Sequence, residues 1–277
     1  MAKIVFEGVR KTFGDFTALD GIDLEIRSGE FLVVVGPSGC GKSTLLDLLG
    51  GLSTPTSGRI LLDGKPVTGP GLDRGIVFQQ YALLPWRTAL GNVEFGLEAT
   101  GVPRRERRAR ATEFLDLVGL TGFEDRHPHQ LSGGMRQRVA IARSLAYDPD
   151  VLLMDEPFAA LDAQTRESLQ DELRRIWQRT GKTVVFITHG IEEAVYLGQK
   201  VAVMTSRPGR IKEIVPVSFG ERPETAAVGT GTGTGTGPQG EELRSSPEFA
   251  RYRHEIWTLL HDEVARAQQL EKEEASV

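Results

Sequence analysis

The nine residues Gly36-Pro37-Ser38-Gly39-Cys40-Gly41-Lys42-Ser43-Thr44 restrict what this chain can become more than any other stretch. Before them runs Phe31-Leu32-Val33-Val34-Val35, a short apolar, β-branched segment that reads as a buried strand. After them, Leu45-Leu46-Asp47-Leu48-Leu49 reads as a helix. A strand, a glycine-rich turn carrying Gly-Lys-Ser and a helix together make a phosphate-binding P-loop. Glycines at 36, 39 and 41 let successive backbone N–H groups curl into a nest at the positive end of the helix, where phosphate oxygens are held. Lys42 is then expected to reach the β- and γ-phosphates, and Ser43 to place its hydroxyl on Mg2+.

Composition narrows the setting. With 33 basic against 38 acidic residues and a net charge of −5, the chain lacks the positive excess of a nucleic-acid-coating protein. No nucleic-acid partner is expected. Its 277 residues suffice for one large domain, or one and a half. No apolar run approaches the ~20 residues needed to cross a bilayer, and residues 1–7 lack the apolar core of a secretion signal. The expected location is therefore cytosolic. Cys40 is the single cysteine, so no intrachain disulfide can form. Inside the P-loop it reads either as a small residue filling a crowded turn, which is the expectation, or as a thiol set beside nucleotide.

Residues 4–6, 24–26 and 31–35 read as strands separated by turns such as Gly14-Asp15 and Asp20-Gly21. Further strands are expected at 60–62 before Asp63-Gly64, and from Gly75 into a loop at Gln79-Gln80. Residues from about 85 to 147 read as mostly helical. Pro103 opens one helix, with Ala111, Phe114, Leu115 and Val118 on its apolar face. The arginines at 104, 105, 107, 108 and 110 read as its solvated face rather than as a nucleic-acid patch. Residues 151–154 and 183–188 are short buried strands flanking a helix from 162 to 179, and 201–204 and 211–215 are closing strands. Strands alternating with helices imply an α/β fold with a largely parallel sheet. The Gly/Thr alternation within 220–240 reads as flexible linker. Beyond it Phe249, Tyr252, Ile256, Leu259, Leu260 and Val264 fall at helical spacing, on an appended helix expected to pack back onto its own domain. A membrane surface or a second subunit is its alternative partner, and residues 271–274 are expected to fray.

A second cluster of phosphate chemistry lies downstream. Val151-Leu152-Leu153-Met154 ends in Asp155-Glu156, two acids where a P-loop enzyme holds Mg2+ and polarises an attacking water. His189 closes another apolar strand. In a parallel sheet the strand C-termini share one edge, so His189 is expected beside Lys42 and Glu156 as a γ-phosphate contact. Leu131-Ser132-Gly133-Gly134-Met135 opens a helix with Ser132 as its N-cap, and it offers backbone N–H groups to an anion away from the P-loop.

Residues 131–135 with Gln137 resemble the signature sequence of ATP-binding cassette (ABC) ATPases. A P-loop, a glutamine loop at Gln79, that signature, Asp155-Glu156, Ala160-Leu161-Asp162 similar to a D-loop, and His189 similar to the switch histidine follow in the family's order across residues 4–215. Met135 departs from the family's usual glutamine. Phe13 lies where the family stacks an aromatic on adenine, with Phe16 as a rival. The resemblance implies a P-loop NTPase (RecA-like) α/β core with an antiparallel β subdomain and a helical subdomain, about residues 86–147, carrying the signature. The ATPase domain would span 1–219, the linker 220–240, and the C-terminal helix and tail 241–277.

The resemblance further implies ATP and Mg2+ as ligands. Glu156 would activate water, His189 would hold the γ-phosphate, and Ser43, Gln79 and Asp155 would face Mg2+. A homodimer would sandwich each nucleotide between one P-loop and the other subunit's residues 131–135. The helical insert is where such subunits dock a membrane permease, and Leu84-Pro85-Trp86 offers an aromatic for that contact. Stretches from Gly69 to Glu98 and from Met204 to Ile211 are similar to the nitrate/sulfonate/taurine importer branch. That branch implies a homodimeric permease, an extracytoplasmic solute-binding protein and a peripheral place on the cytoplasmic membrane face. An exporter ATPase or an importer for other solutes is the alternative, with a soluble non-transport ABC ATPase more remote.

Overall fold

The structure, a computed structural model, describes residues 3–219 and 239–274. Strands β1 (Ile4–Phe13) and β2 (Phe16–Ile26) form a hairpin. With β4 (Ser57–Leu62) and β5 (Lys65–Pro66) they make a four-stranded antiparallel sheet, ordered β2-β1-β4-β5. The larger sheet contains β3 (Phe31–Val35), β6 (Arg74–Val77), β7 (Val151–Asp155), β8 (Thr183–Ile187), β9 (Lys200–Met204) and β10 (Ile211–Pro216). Its order is β10-β9-β3-β8-β7-β6, parallel throughout except for β10 at one edge.

The apolar runs read as buried strands are buried on both faces, as a covered parallel sheet requires. Side chains alternate along β3. Leu32 and Val34 pack with the antiparallel sheet and with Leu45, Leu46, Leu48 and Leu49 of α1 (Lys42–Gly50). Phe31, Val33 and Val35 face the opposite layer. That layer holds α5 (Ala163–Thr180), α6 (Ile191–Leu197) and the C-terminal α8 (Pro247–Glu274), preceded by α7 (Gln239–Arg244).

Between β6 and β7 the chain inserts three α-helices, α2 (Ala89–Ala99), α3 (Arg104–Leu117) and α4 (Gly133–Ala146), with a short 3-10 turn at Pro128–Gln130 before the last. On α3 the expected face is inward, with Ala111 and Leu115 buried and Val118 following them. Its arginines are surface groups: Arg107 pairs with Glu98 at 3.9 Å and Arg110 with Glu106 at 4.0 Å. The family fold expected from the motifs is the one observed.

Several expectations are corrected. Asp20-Gly21 is not a turn but part of β2, where the pairing with β1 slips register between Val9–Ile22 and Lys11–Leu19. A bulge with Gly21 at φ 69 uses the same residue chemistry as a turn. The C-terminal segment holds two helices rather than one. The linker read at 220–240 lies mostly outside the described residues, and α7 already begins at Gln239. Residues 271–274, read as a fraying tail, form the last turn of α8.

The C-terminal helix packs on its own chain. Phe249, Tyr252, Ile256 and Leu260 are buried in the same core as α6, and Phe219 meets Phe249 and Tyr252 at ring-centroid distances of 6.2 and 5.7 Å. Val264, expected inward, is instead 39% exposed. The inward place one turn beyond Leu260 goes to Glu263, whose carboxylate meets Lys212 of β10. Ile256→Ala is expected to lower unfolding free energy by about 2–5 kcal/mol. Val264→Ala should change it by less than ~0.5 kcal/mol. Urea denaturation followed by circular dichroism measures both.

Candidate active site

The P-loop turns out of β3 into α1 through Gly41, the residue before the helix, at φ 101 and ψ 13. A Cβ at that position would stand 2.7 Å from Leu19 Cδ2 and 3.0 Å from the Ala18 carbonyl, so only glycine makes this turn. No side chain caps the start of α1. Its first N–H groups therefore keep their capacity for an anion, and the helix dipole adds to the attraction. Lys42 is buried, with Nζ donating to the Gly36 and Pro37 carbonyls at 2.9 Å each. Its ammonium is thus held against the loop itself. Cys40 is buried as well, and burial pushes its thiol up, which fits the space-filling reading.

Register brings the other motifs to the same edge. Val34 of β3 pairs with Ile187 of β8, and Ile187 pairs with Asp155 of β7. The residues that follow each strand, the P-loop, Glu156 and Thr188-His189, are therefore neighbours. Val77 of β6 pairs with Met154, which carries Gln79, two residues past its strand, toward the same rim.

Electrostatically the edge is crowded with carboxylates. Burial pushes the Asp155 carboxyl up, and the charges of Glu156 and Asp47 push further, against the pull of the nearby Ser43 hydroxyl and of Lys42. Burial also raises Asp47. Glu156 takes a left-handed backbone, φ 42, rare for a residue with a side chain and costing about 1–3 kcal/mol. Its N–H donates to the Ile187 carbonyl at 3.0 Å, and Oε2 lies 3.3 Å from His189 Nδ1. His189 projects into solvent beside it.

The hydroxyl–carboxylate pair of Ser43 and Asp155 suits Mg2+. Acids that burial and mutual repulsion make reluctant to ionise are stabilised by a divalent cation. Among the described residues no group of three or more His, Cys, Asp or Glu forms a cage for a metal. Mg2+ asks for one or two protein oxygens, with phosphate and water completing its shell.

The remaining motif residues lie elsewhere. Ser132 caps α4, its Oγ accepting from the Met135 N–H at 3.2 Å, with Leu131 buried before it and Gly133 and Gly134 in the first turn. This places 131–135 on the helical insert, not on the sheet edge that carries Lys42. Asp162 caps α5 by accepting the Thr165 N–H at 2.9 Å, and that bond holds its carboxyl below the usual range. Leu161 beside it is buried and Ala160 exposed. Phe13 and Phe16 face each other across the β1–β2 hairpin, 54% and 45% exposed. Lys11 Nζ stands 4.9 Å from the Phe13 ring centre and the Arg207 guanidinium 5.7 Å from that of Phe16. Both rings remain available. Trp86 is 71% exposed after Pro85.

Three supporting residues escaped the sequence reading. Asp47 stands one helical turn after Ser43, a spacing that could have exposed it. Asn92, wholly buried, accepts the Leu84 N–H at 2.8 Å and donates to the carbonyls of Leu84, Arg87 and Thr88, which fixes the loop presenting Trp86. Arg143 of α4 donates to the Ala82 and Tyr81 carbonyls at 2.6 and 3.0 Å, gripping the turn just after Gln79.

The family described as ABC transporter matches residues 19–159. The nitrate import ATP-binding protein NrtD of Synechocystis sp. is 50% identical over 256 residues, 92% of this chain and 91% of that one. The chain belongs to the ABC transporter family. The taurine import ATP-binding protein TauB of Rhizobium johnstonii is 50% identical over 244 residues, 88% of this chain and 89% of its own. An ATP-binding cassette solved as a dimer in a post-hydrolysis state with ADP and Pi superposes with a TM-score of 0.69 at 37% identity, covering 79% of this chain and 100% of that one. As an ABC transporter ATPase this chain hydrolyses ATP with Mg2+ as cofactor.

In this ABC cassette α4 is tied to α5 by Arg138, which bonds Glu172 and also donates to the Val118 carbonyl at 2.8 Å. Burial pushes Glu172 up to about 7, against the pull of Arg138 and Arg175. A carboxyl raised above its unfolded value lets the native state bind the extra proton, so its contribution to stability is full below the unfolded value and disappears as pH rises through about 7. Wild type is therefore expected to lose stability relative to Glu172→Gln between pH 4.5 and 7.5 in urea titrations; parallel curves would contradict this.

Proposed function

We propose that this chain is the ATP-hydrolysing subunit of an importer for a small anion such as nitrate, a sulfonate or taurine, working with a separate membrane permease. The observation that carries the solute class is the similarity, over about nine-tenths of the chain, to the nitrate and taurine import proteins. No helix among the described residues is long and apolar enough to cross a membrane; the separate permease and the place on the cytoplasmic membrane face belong to the importer reading itself. We assign residues 1–219 to the ATPase domain, with about 86–147 as its helical subdomain, and 241–277 to a C-terminal appendage.

The proposed chemistry follows from the edge geometry. Backbone N–H groups within 38–44 and the Lys42 ammonium hold and neutralise the β- and γ-phosphates. Ser43, Asp155 and Gln79 would hold Mg2+, which supplies positive charge against the phosphate oxygens when bound. Glu156 accepts a proton from water as the water attacks the γ-phosphorus, and the bond from that phosphorus to the bridging oxygen breaks to leave ADP and phosphate. His189, bonded to Glu156 at 3.3 Å, orients that carboxylate and reaches the γ-phosphate. Phe13 stacks on adenine.

Residues 131–135 sit on a different subdomain from Lys42, so a second copy is needed to bring N–H groups of α4 to the γ-phosphate. A two-fold arrangement does this at both sites at once, with the Ala160-Leu161-Asp162 turn between them. The permease docks at Leu84-Pro85-Trp86, and an extracytoplasmic binding protein delivers solute to it.

Glu156→Gln is expected to cut turnover by about 10²–10⁴-fold and to accumulate a dimer in MgATP. A monomer in sedimentation at saturating MgATP would sink the sandwich. In cells co-expressing the neighbouring permease and binding protein, Lys42→Ala should abolish uptake of labelled nitrate, sulfonate or taurine. Uptake that survives this change removes the importer reading. Trp86→Ala should weaken co-purification with the permease, and undiminished recovery would move the dock elsewhere.

A further inference from the structure

The C-terminal helix reaches toward the nucleotide site through a buried carboxylate. Glu263 on α8 is 2% exposed. Its Oε2 accepts the Ser206 N–H at 2.9 Å and the Ser206 hydroxyl at 3.2 Å. Its Oε1 faces Lys212 Nζ at 2.9 Å and Arg266 Nη1 at 3.7 Å, and Lys212 also donates to the Leu259 carbonyl at 2.9 Å. A buried carboxylate with this many donors is a strong local clamp, because losing it leaves a buried N–H and a half-buried ammonium without their acceptor.

The segment it clamps lies directly against the P-loop. Ser206 begins the turn Ser206-Arg207-Pro208-Gly209 between β9 and β10. Gly209 donates to the Ala18 carbonyl at 2.9 Å and accepts the Asp20 N–H at 3.0 Å, so it is stitched to the strand that walls Gly41. A Cβ on Gly209 would fall 2.0 Å from the Cys40 carbonyl, which leaves no gap between this turn and the phosphate loop. On the other side of the turn, the Arg207 guanidinium stands beside Gly39 and over the Phe16 ring. The turn is closed internally by Thr205, whose hydroxyl donates to the Pro208 carbonyl and accepts the Arg210 N–H, each at 3.0 Å.

We propose that Glu263 is a positioning residue for nucleotide binding: from the C-terminal helix it fixes the 206–209 turn, and the turn in turn fixes the shape of the P-loop at 39–41. The inference rests on the nucleotide role assigned to that loop above. A P-loop binds phosphate only while its N–H groups converge, so release of the supporting turn weakens ATP binding before it alters the chemical step. The C-terminal helix thereby acts on the ATP site through the 206–209 turn.

The test is ATP hydrolysis by the full chain as a function of MgATP, with folding checked by circular dichroism. Glu263→Ala is expected to raise KM for ATP roughly tenfold, the worth of one charged hydrogen-bonding group, with kcat changed less than about twofold. Glu263→Asp keeps the charge but withdraws it from Ser206, so KM should rise in the same direction; it decides the matter should the alanine variant not fold. Ile256→Val loosens the same helix without touching the turn, and its KM should stay at the wild-type value. A wild-type KM in a folded Glu263 variant, or an equal rise in Ile256→Val, overturns the positioning role. Lys42→Ala in the same assay separates the two readings. If it loses ATP binding while the Glu263 variants do not, only the present proposal fails; if it binds ATP normally, the assignment of the loop itself fails.

Discussion

The backbone N–H groups at the start of α1 are given no side chain to bond, and much of the rest of the structure keeps them that way. A helix start usually recruits serine, threonine or aspartate as its cap; here glycine at 41 takes that position in a left-handed conformation. The concentrated positive potential is left for phosphate. Maintaining it requires β3 to deliver the loop from a rigid central position between β8 and β9, and it requires Leu19 and Ala18 of the antiparallel sheet to close in from the side. The two sheets thus meet where the anion binds, and the apolar cluster of α1, β3 and the smaller sheet fixes their relative position.

The parallel sheet supplies the remaining chemistry by a purely geometric device. Its strands end together, so segments far apart in sequence, 36–44, 155–156 and 188–189, come to one rim, where Glu156 and His189 meet at 3.3 Å. The crowding of Asp47, Asp155 and Glu156 there has an electrostatic cost in the protein alone, visible as the upward push on Asp155. That cost is the counterpart of cation affinity, since the same repulsion that disfavours ionised acids rewards a divalent ion among them. The left-handed backbone of Glu156 is a second local cost, tolerated because its N–H is fixed to the Ile187 carbonyl in β8.

Motifs built from contiguous residues were legible in the sequence: the glycine turn, the apolar strand ending in Asp155-Glu156, and the Ser132 cap of α4 each carry their signal locally. Neighbourhood was legible only through the general rule that parallel strands share an edge. The actual order, with β3 between β8 and β9, depends on long-range packing that no local pattern encodes. Asp20-Gly21 misled because a bulge and a turn ask for the same residues. The drift of α8, which turns Val264 outward, was hidden because Glu263 reads as a solvent residue until Lys212 and Ser206 are seen around it. Asn92 was missed for a similar reason: a polar residue in a helix gives no sign that its amide holds four backbone groups.

Arg143 ties the helical insert to the bend after β6. Its guanidinium is rooted one turn from the C-terminal end of α4, and it grips two carbonyls of the segment after Gln79, where Tyr81 and Ala82 both adopt left-handed backbones. Arg136, nearer the start of the same helix, lies over the Tyr81 ring at 5.5 Å. A peptide bend held at two places by one stiff rod cannot slide past it. A shift of the 79–82 bend would therefore load α4 at two points about two turns apart, Arg136 and Arg143, rather than at one.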